Sequence, residues 1–196
     1  MADQLHDEPF AVEVTSSEVA FDGAVWDIRR ESFRYGDADV VREFVDHTGA
    51  VAVLALDDED RVLLIQQYRH PIRERDWELP AGLLDIAGED PAIAARRELA
   101  EEADLEAAEL HLLTDFYTTP GGSNESIRIY LARGLRPTAD AFARSEEEAD
   151  IRIEWIPLED AVAGVLGGRF HNSILMLGVL SASAAKASGW STLRRV

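Results

Sequence analysis

Three glutamates in one short stretch of the sequence could together hold a divalent metal ion. Glu98, Glu101 and Glu102 lie in a segment, Pro91 to Ala103, whose apolar residues recur with the period of an α-helix. At 100° per residue, the three carboxylates fall within one sector of that helix. Like charges at these spacings repel, and Arg97 is the nearby positive charge, so the cluster calls for an added cation. Oxygen ligands favour Mg²⁺ or Mn²⁺ over zinc.

The same segment carries the signals that begin and orient a helix. Pro91 suits a first helical turn, and Glu89 and Asp90 place negative charge at the positive end of the helix dipole. A stripe of small apolar residues predicts close packing against a sheet; its members are Ala92, Ala95, Leu99 and Ala103. An acidic helix is most often a solvated face, and only the fixed spacing of the acids favours a metal site here.

The stretch from Gly82 to Leu105 resembles the Nudix box, written G-x5-E-x7-R-E-U-x-E-E-x-G-U, where U is aliphatic. The matching residues are Gly82, Glu89, Arg97, Glu98, Leu99, Glu101, Glu102 and Leu105. The gap from Gly82 to Glu89 is one residue longer than the pattern, which lengthens the loop before the helix. Asp104 stands where the family has its second glycine, at a helix end where a positive φ is expected and Asp is tolerated.

Stretches outside the box are similar to the ADP-ribose pyrophosphatase branch of this family. Pro120 follows Leu105 by fifteen residues, and a proline at about this distance is the mark of the branch, although residue chemistry alone favours a simple tight turn at Pro120-Gly121-Gly122. The stretches around Gln66–Arg69 and Trp77–Gly82 are also similar to that branch. The resemblance covers most of residues 47 to 156 and implies hydrolysis of ADP-ribose to AMP and ribose 5-phosphate.

This resemblance implies roles for particular residues. The metal ligands would be the backbone carbonyl of Ala81 with Glu98 and Glu102, while Glu101 would be a third ligand or would orient water. Arg97 would orient the glutamates and neutralise part of their charge. A carboxylate of the Glu146–Glu148 run would be the catalytic base, and Glu147 is the aligned choice, although such a run is often only a solvated loop.

Substrate binding would involve residues on both sides of the box. Arg69, at the end of a predicted strand, suits bidentate binding of a phosphate, and Gly82 and Pro120 carry the box and branch signatures. Trp77 could stack a base, as could Trp26, but either could equally be a core residue.

Three other activities stay open at this point. One is hydrolysis of a different nucleoside diphosphate sugar, and another is hydrolysis of a dinucleotide such as NADH or a diadenosine polyphosphate. The third is a sensor that binds ADP-ribose without cutting it. A sensor would be expected to have lost one or more box carboxylates and to carry a basic DNA-binding extension. This sequence has the acids and shows no basic helix-turn-helix.

Composition restricts the partners. The chain has 196 residues, no cysteine and a net charge of −19, which would repel nucleic acid and leaves phosphorylated substrates dependent on metal ions and a few arginines. Disulfides and thiolate chemistry are excluded. The longest apolar runs are too short for a membrane span, and the acidic start does not resemble a signal peptide, so we expect a cytoplasmic protein.

The order of elements predicts an α+β protein. Short β segments at Val12–Val14, Val25–Phe33 and Val40–Val45 indicate a small antiparallel sheet in residues 1–45. Ala50–Leu56 and Arg61–Tyr68 are predicted to pair as a hairpin. Residues 46–196 mix strands and helices without βαβ alternation, which favours an α/β/α sandwich with a mixed sheet. The family resemblance further implies a homodimer assembled through the N-terminal sheet.

Overall fold

The computed structural model describes residues 5–144 and 150–196 and divides the chain into two compact units. The first unit runs up to His47 and includes the distant segment Thr119–Glu125. The second unit comprises Thr48–Thr118 and Ser126–Val196. The predicted box and its surrounding strands therefore belong to the second unit, whereas Pro120 belongs to the first.

The first unit is built on a three-stranded antiparallel sheet, as expected from the sequence. Its strands, in the order in which they pair, are β1 (Glu13–Phe21), β2 (Asp27–Tyr35) and β3 (Ala38–Asp46). Gly36 has a φ of 60° in the turn between β2 and β3, a conformation that favours glycine. β1 is longer than predicted because its polar middle, which lacks a β-type pattern, is fixed by pairing with β2.

The second unit contains two sheets. A five-stranded sheet has the order β11-β8-β9-β4-β7, with β4 parallel to β9, and a three-stranded antiparallel sheet has the order β10-β5-β6. The strands are β4 (Ala50–Ala55), β5 (Arg61–Arg69), β6 (Glu74–Glu78), β7 (Ala81–Leu83), β8 (Leu105–Tyr117), β9 (Ser126–Pro137), β10 (Arg152–Pro157) and β11 (Arg194–Arg195).

The prediction that β4 and β5 pair as a hairpin is wrong. The two strands lie in different sheets, and an isolated antiparallel bridge joins Leu56, the residue after β4, to Val62 of β5. Every residue of β4 is buried, and its neighbours are β9 and β7. A continuous apolar run is typical of an interior strand with both faces covered, and such a strand can pair with segments far along the chain.

In the part of the chain that the structure describes, three helices cover the two faces of these sheets. They are α1 (Pro91–Ala103), α2 (Leu158–Leu166) and α3 (Ser173–Ala187). Alternate residues of β4 and β5 face opposite sides. On one side they form an apolar cluster with α1, and on the other side they form a second cluster with α2 and α3. The predicted α/β/α arrangement with a mixed sheet is confirmed. Within the described residues, none of the helices has the length and apolarity needed to cross a membrane.

Candidate active site

Helix α1 has the bounds that the sequence predicts, and it places the acidic residues at an edge of the sheet. Asp90 caps its first turn by accepting a hydrogen bond from the Ala92 backbone N–H at 2.8 Å. Its buried face includes Ala95 and Leu99 and packs against the β4 and β5 core. Since this packing fixes the rotation of the helix, it also fixes which way the glutamates face.

Glu102 ties α1 to strand β7. The side chain is almost fully buried, and its Oε2 accepts a hydrogen bond from the Ala81 backbone N–H at 2.8 Å. Ala81 itself pairs with Ala52 of the interior strand β4. The carboxylate of Glu102 is therefore held beside the backbone segment that the resemblance assigns to metal binding.

Gly82 allows the carboxylate of Glu98 to approach the strand closely. A Cβ added at residue 82 would lie 2.0 Å from Glu98 Cδ and 2.1 Å from its Oε1, so no side chain fits there while Glu98 keeps this position. The glycine of the box is thus explained by close approach of a side chain to the backbone.

Arg97 links three of the box carboxylates. Its Nη1 donates to Glu98 at 2.5 Å and to Glu101 at 3.3 Å, and its Nη2 donates to Glu89 at 3.0 Å. The hydrogen bond with Glu89 contributes most to raising the pKa of Arg97, and the same bond lowers the pKa of Glu89. The extra residue in the preceding loop therefore does not prevent Glu89 from reaching Arg97.

Arg69 has a carboxylate partner that the sequence analysis did not identify. Its Nε and Nη2 donate to the two carboxylate oxygens of Glu78 at 2.7 and 2.6 Å. Glu78 is buried and also accepts from the Gln67 side chain at 3.4 Å. The hydrogen bond to Glu78 raises the pKa of Arg69 in spite of burial, and the charge of Glu102 adds to that effect. The sequence signal for this pair was Glu78 itself, an acid between the apolar residues Trp77 and Leu79. An acid in such surroundings is expected to be buried, and a buried carboxylate requires a partner.

Trp77 lies on the other face of β6 from this pair. It packs against the cluster that contains α2 and α3, and it lines a cavity of about 700 Å³ together with Leu64, Ile156 and Phe170. Successive strand residues face opposite sides of a sheet, so Trp77 is not brought together with the acids of α1. Trp26, the other candidate for base stacking, stacks on His47 with ring centroids 4.0 Å apart.

Pro120 occupies a tight turn in the first unit. Gly122 N–H donates to the Thr119 carbonyl at 2.9 Å, which places Pro120 at the second position of the turn, where proline is favoured. The following residues join β3, because Val45 N–H donates to the Gly122 carbonyl at 2.9 Å. The predicted base Glu147, like Glu146 and Glu148, lies outside the described residues.

The donors near α1 suit a hard divalent cation in chemical type. They are carboxylate oxygens on one helix face beside the backbone of Ala81 and Gly82, and Gly82 leaves room for Glu98. Over residues 5–144 and 150–196, however, no group of three or more histidine, aspartate or glutamate side chains is already arranged to hold a metal. Arg97 instead pairs with Glu98 and Glu101.

Comparison with known proteins gives the class to which this fold and site belong. The model of the NUDIX domain matches residues 46–174, which include every strand and helix that forms the candidate site. The chain therefore belongs to the Nudix family, whose hydrolases generally use divalent metals such as Mg²⁺.

Individual relatives agree with the predicted branch. An ADP-ribose pyrophosphatase of Mycobacterium tuberculosis is 47% identical over 173 residues, covering 88% of this chain and 83% of that protein. An ADP-ribose pyrophosphatase of Bacillus subtilis is 36% identical, covering 75% of this chain and 79% of that protein. A solved structure of an ADP compounds hydrolase shares the fold with a TM-score of 0.76 at 20% identity, covering 94% of this chain and 99% of that one. The predicted resemblance is confirmed.

Proposed function

We propose that this protein hydrolyses the pyrophosphate bond of ADP-ribose to give AMP and ribose 5-phosphate. The observation that carries the proposal is the contact between α1 and β7, in which Glu98 and Glu102 lie against Gly82 and Ala81. Similarity to two ADP-ribose pyrophosphatases over most of the chain supports this choice of substrate.

Mg²⁺ is the proposed cofactor, with Mn²⁺ as a possible substitute. The backbone carbonyl of Ala81 and the side chains of Glu98, Glu101 and Glu102 would hold it. Bound there, a divalent cation would neutralise phosphate charge and lower the pKa of a coordinated water. Arg97 would then keep the glutamates oriented, as its bonds to Glu98 and Glu101 do already. Glu101 would serve as a third ligand or would orient the attacking water.

Arg69 and Gly82 would bind the substrate phosphate. A guanidinium has five N–H donors, and Glu78 accepts two from Arg69 while fixing the plane of the group. A fixed cation is valuable here, because a net charge of −19 opposes the approach of an anionic substrate. Trp77, which lines a cavity on the other face of β6, is kept as a proposed binding residue for the base. Pro120 is the mark of the ADP-ribose branch.

Glu147 is the proposed general base, with Glu146 and Glu148 as alternatives. A carboxylate that removes the proton of the attacking water is the remaining requirement of the reaction, since the acids of α1 are assigned to the metal. Among Nudix sequences of this branch, the resemblance places that base in the run before β10.

A substrate panel tests the proposal. Purified protein with Mg²⁺ is incubated with ADP-ribose, GDP-mannose, NADH and diadenosine polyphosphates, and the products are separated by chromatography. The expected result is AMP and ribose 5-phosphate, formed chiefly from ADP-ribose. Preference for another member of the panel would retain pyrophosphate hydrolysis but contradict the substrate, and tight binding of ADP-ribose without turnover would indicate a sensor.

We also propose that the protein is a homodimer and that it acts in the cytoplasm. The three-stranded sheet of the first unit would form a homodimer, because β1 is exposed along its whole length and carries exposed Val14, Val19 and Phe21. An unpaired strand edge with apolar side chains favours association with another chain. A nucleotide substrate and a chain free of cysteine are consistent with the cytoplasm.

A further inference from the structure

Asp104, which replaces the second glycine of the box, ends α1 in a left-handed conformation. Its φ and ψ are 53° and 38°, and its N–H donates to the Ala100 carbonyl at 3.0 Å. Glycine adopts this conformation with less strain than any residue that has a Cβ. A side chain at this position therefore needs contacts that offset the strain.

The carboxylate of Asp104 binds the segment that follows β9. Its Oδ1 accepts from the Phe142 backbone N–H at 2.8 Å, and its Oδ2 accepts from Arg144 Nη2 at 2.5 Å. The Asp104 carbonyl also accepts from the Thr138 N–H at 2.9 Å. Burial alone would raise the pKa of Asp104, but the bonds from Phe142 and Arg144 outweigh it and lower that pKa.

Arg144 completes the attachment at the end of the acidic helix. Its Nε donates to the backbone carbonyl of Glu101 at 3.0 Å, one of the last carbonyls of α1, which have no partner within the helix itself. Its positive charge also complements the negative end of the helix dipole. Arg144 and Asp104 are both mostly shielded from solvent, with side chains 20% and 29% exposed. We call these contacts of Asp104 with Phe142 and Arg144, and of Arg144 with Glu101, the Asp104–Arg144 clamp.

The clamp lies immediately before the candidate base. In the sequence, Glu147 follows Arg144 by three residues. On the far side of the run, Asp150 forms an ion pair with Arg75 of β6. The chain is thus attached to the second unit on both sides of the candidate base, and one attachment is made to the helix that carries the proposed metal ligands.

We infer that Asp104 and Arg144 are positioning residues. They hold the residue from which the segment with the candidate base starts, Arg144, at a fixed place relative to the acids of α1. The inference rests on the proposed function. A purely structural cap would affect the stability of the protein, whereas a positioning role requires an effect on turnover while the substrate and metal sites stay intact.

Asp104→Gly separates these two roles. Glycine suits the left-handed backbone better than Asp, so the variant should fold, yet it lacks the carboxylate that binds Phe142 and Arg144. We expect kcat for ADP-ribose to fall about tenfold or more, while KM and the Mg²⁺ concentration for half-maximal rate change less than twofold. Arg144→Gln should give a similar loss, and the double variant should lose little more than either single one. Asp104→Asn, which can still accept from Phe142, should retain more activity.

Glu106→Gln is the matched control, because it removes the acid of the exposed Glu106–Arg136 ion pair, which lies outside the clamp. Its kcat should equal that of the wild type. If kcat of Asp104→Gly stayed at the wild-type value, or if kcat of Glu106→Gln fell as much as that of Asp104→Gly, the positioning role would be overturned. The proposed function would still stand. Absence of turnover in the wild type with every nucleotide of the panel would instead overturn both.

Discussion

Gly82 shows how one residue type can be required by its neighbour rather than by its own backbone. The carboxylate of Glu98 occupies the space in which a Cβ would lie, at 2.0 Å from its Cδ. Because Glu98 is also paired with Arg97, any displacement of its carboxylate would disturb the arrangement that orients the other acids.

Gly82→Ala should therefore reduce kcat/KM by roughly 100-fold, the cost expected when a catalytic group is misplaced by about 1 Å. Stability should change by less than about 1 kcal/mol, since the displaced group is the end of a flexible side chain. Steady-state kinetics and urea denaturation would measure the two effects.

Gly164→Ala is the matched comparison, because a Cβ there would lie 2.3 Å from a ring carbon of Phe170. Overpacking at that position should cost about 1–3 kcal/mol of stability and leave kcat/KM near the wild-type value below the melting temperature. If Gly82→Ala kept wild-type kcat/KM, the position of Glu98 would not matter to turnover.

Residue-level prediction succeeded where the information was local. The grouping of Glu98, Glu101 and Glu102 follows from helix periodicity, and the left-handed conformation of Asp104 follows from its place at a helix end. The Arg69–Glu78 pair was missed because the two residues are not opposite one another: the register of β5 against β6 places Arg69 opposite Glu74 and Glu78 opposite Ile65, and the guanidinium reaches along the strands to Glu78. Local sequence patterns do not specify such a register.

At the scale of elements, the N-terminal sheet is the part that we propose joins two copies of the chain. Val19 and Phe21 of β1 are 47% and 62% exposed, which is unusual for large apolar side chains on a strand. We expect the wild type to sediment as a dimer, at twice the chain mass of 21.7 kDa.

Val19→Glu and Phe21→Glu should shift sedimentation toward the monomer, because charge at an apolar interface resists burial. Glu13→Gln, an exposed change on the same strand, should leave the dimer intact. A wild type that sediments as a monomer would contradict the proposed assembly, and so would glutamate variants that remain dimeric.

Element prediction failed where pairing joins distant parts of the chain. β4 and β5 are close in sequence and rich in β-formers, yet β4 pairs with β9 in parallel and β5 pairs with β10. Likewise, residues 119–125 join the first unit through hydrogen bonds to Val45. Both arrangements depend on which faces are buried in the complete fold, and this is not encoded in any single segment.

For the molecule as a whole, the mixture of strands and helices without βαβ alternation was sufficient to predict the α/β/α architecture, and an interior strand that is apolar throughout, such as β4, requires cover on both faces of its sheet. The excess of 38 acidic over 19 basic residues makes binding of an anion unfavourable in general. Turnover of a pyrophosphate therefore has to depend on local cations, namely the arginines near α1 and the metal proposed for its glutamates.

The most direct test of this account is the rate of AMP release from ADP-ribose, measured with and without Mg²⁺ for the wild type and Glu102→Gln. Glutamine keeps an oxygen that can accept the Ala81 N–H but removes the charge, so the fold should persist while metal binding is weakened. The account predicts AMP release by the wild type only with Mg²⁺, and a loss of at least 100-fold in Glu102→Gln. Equal rates for the two proteins, or full activity in EDTA, would contradict it.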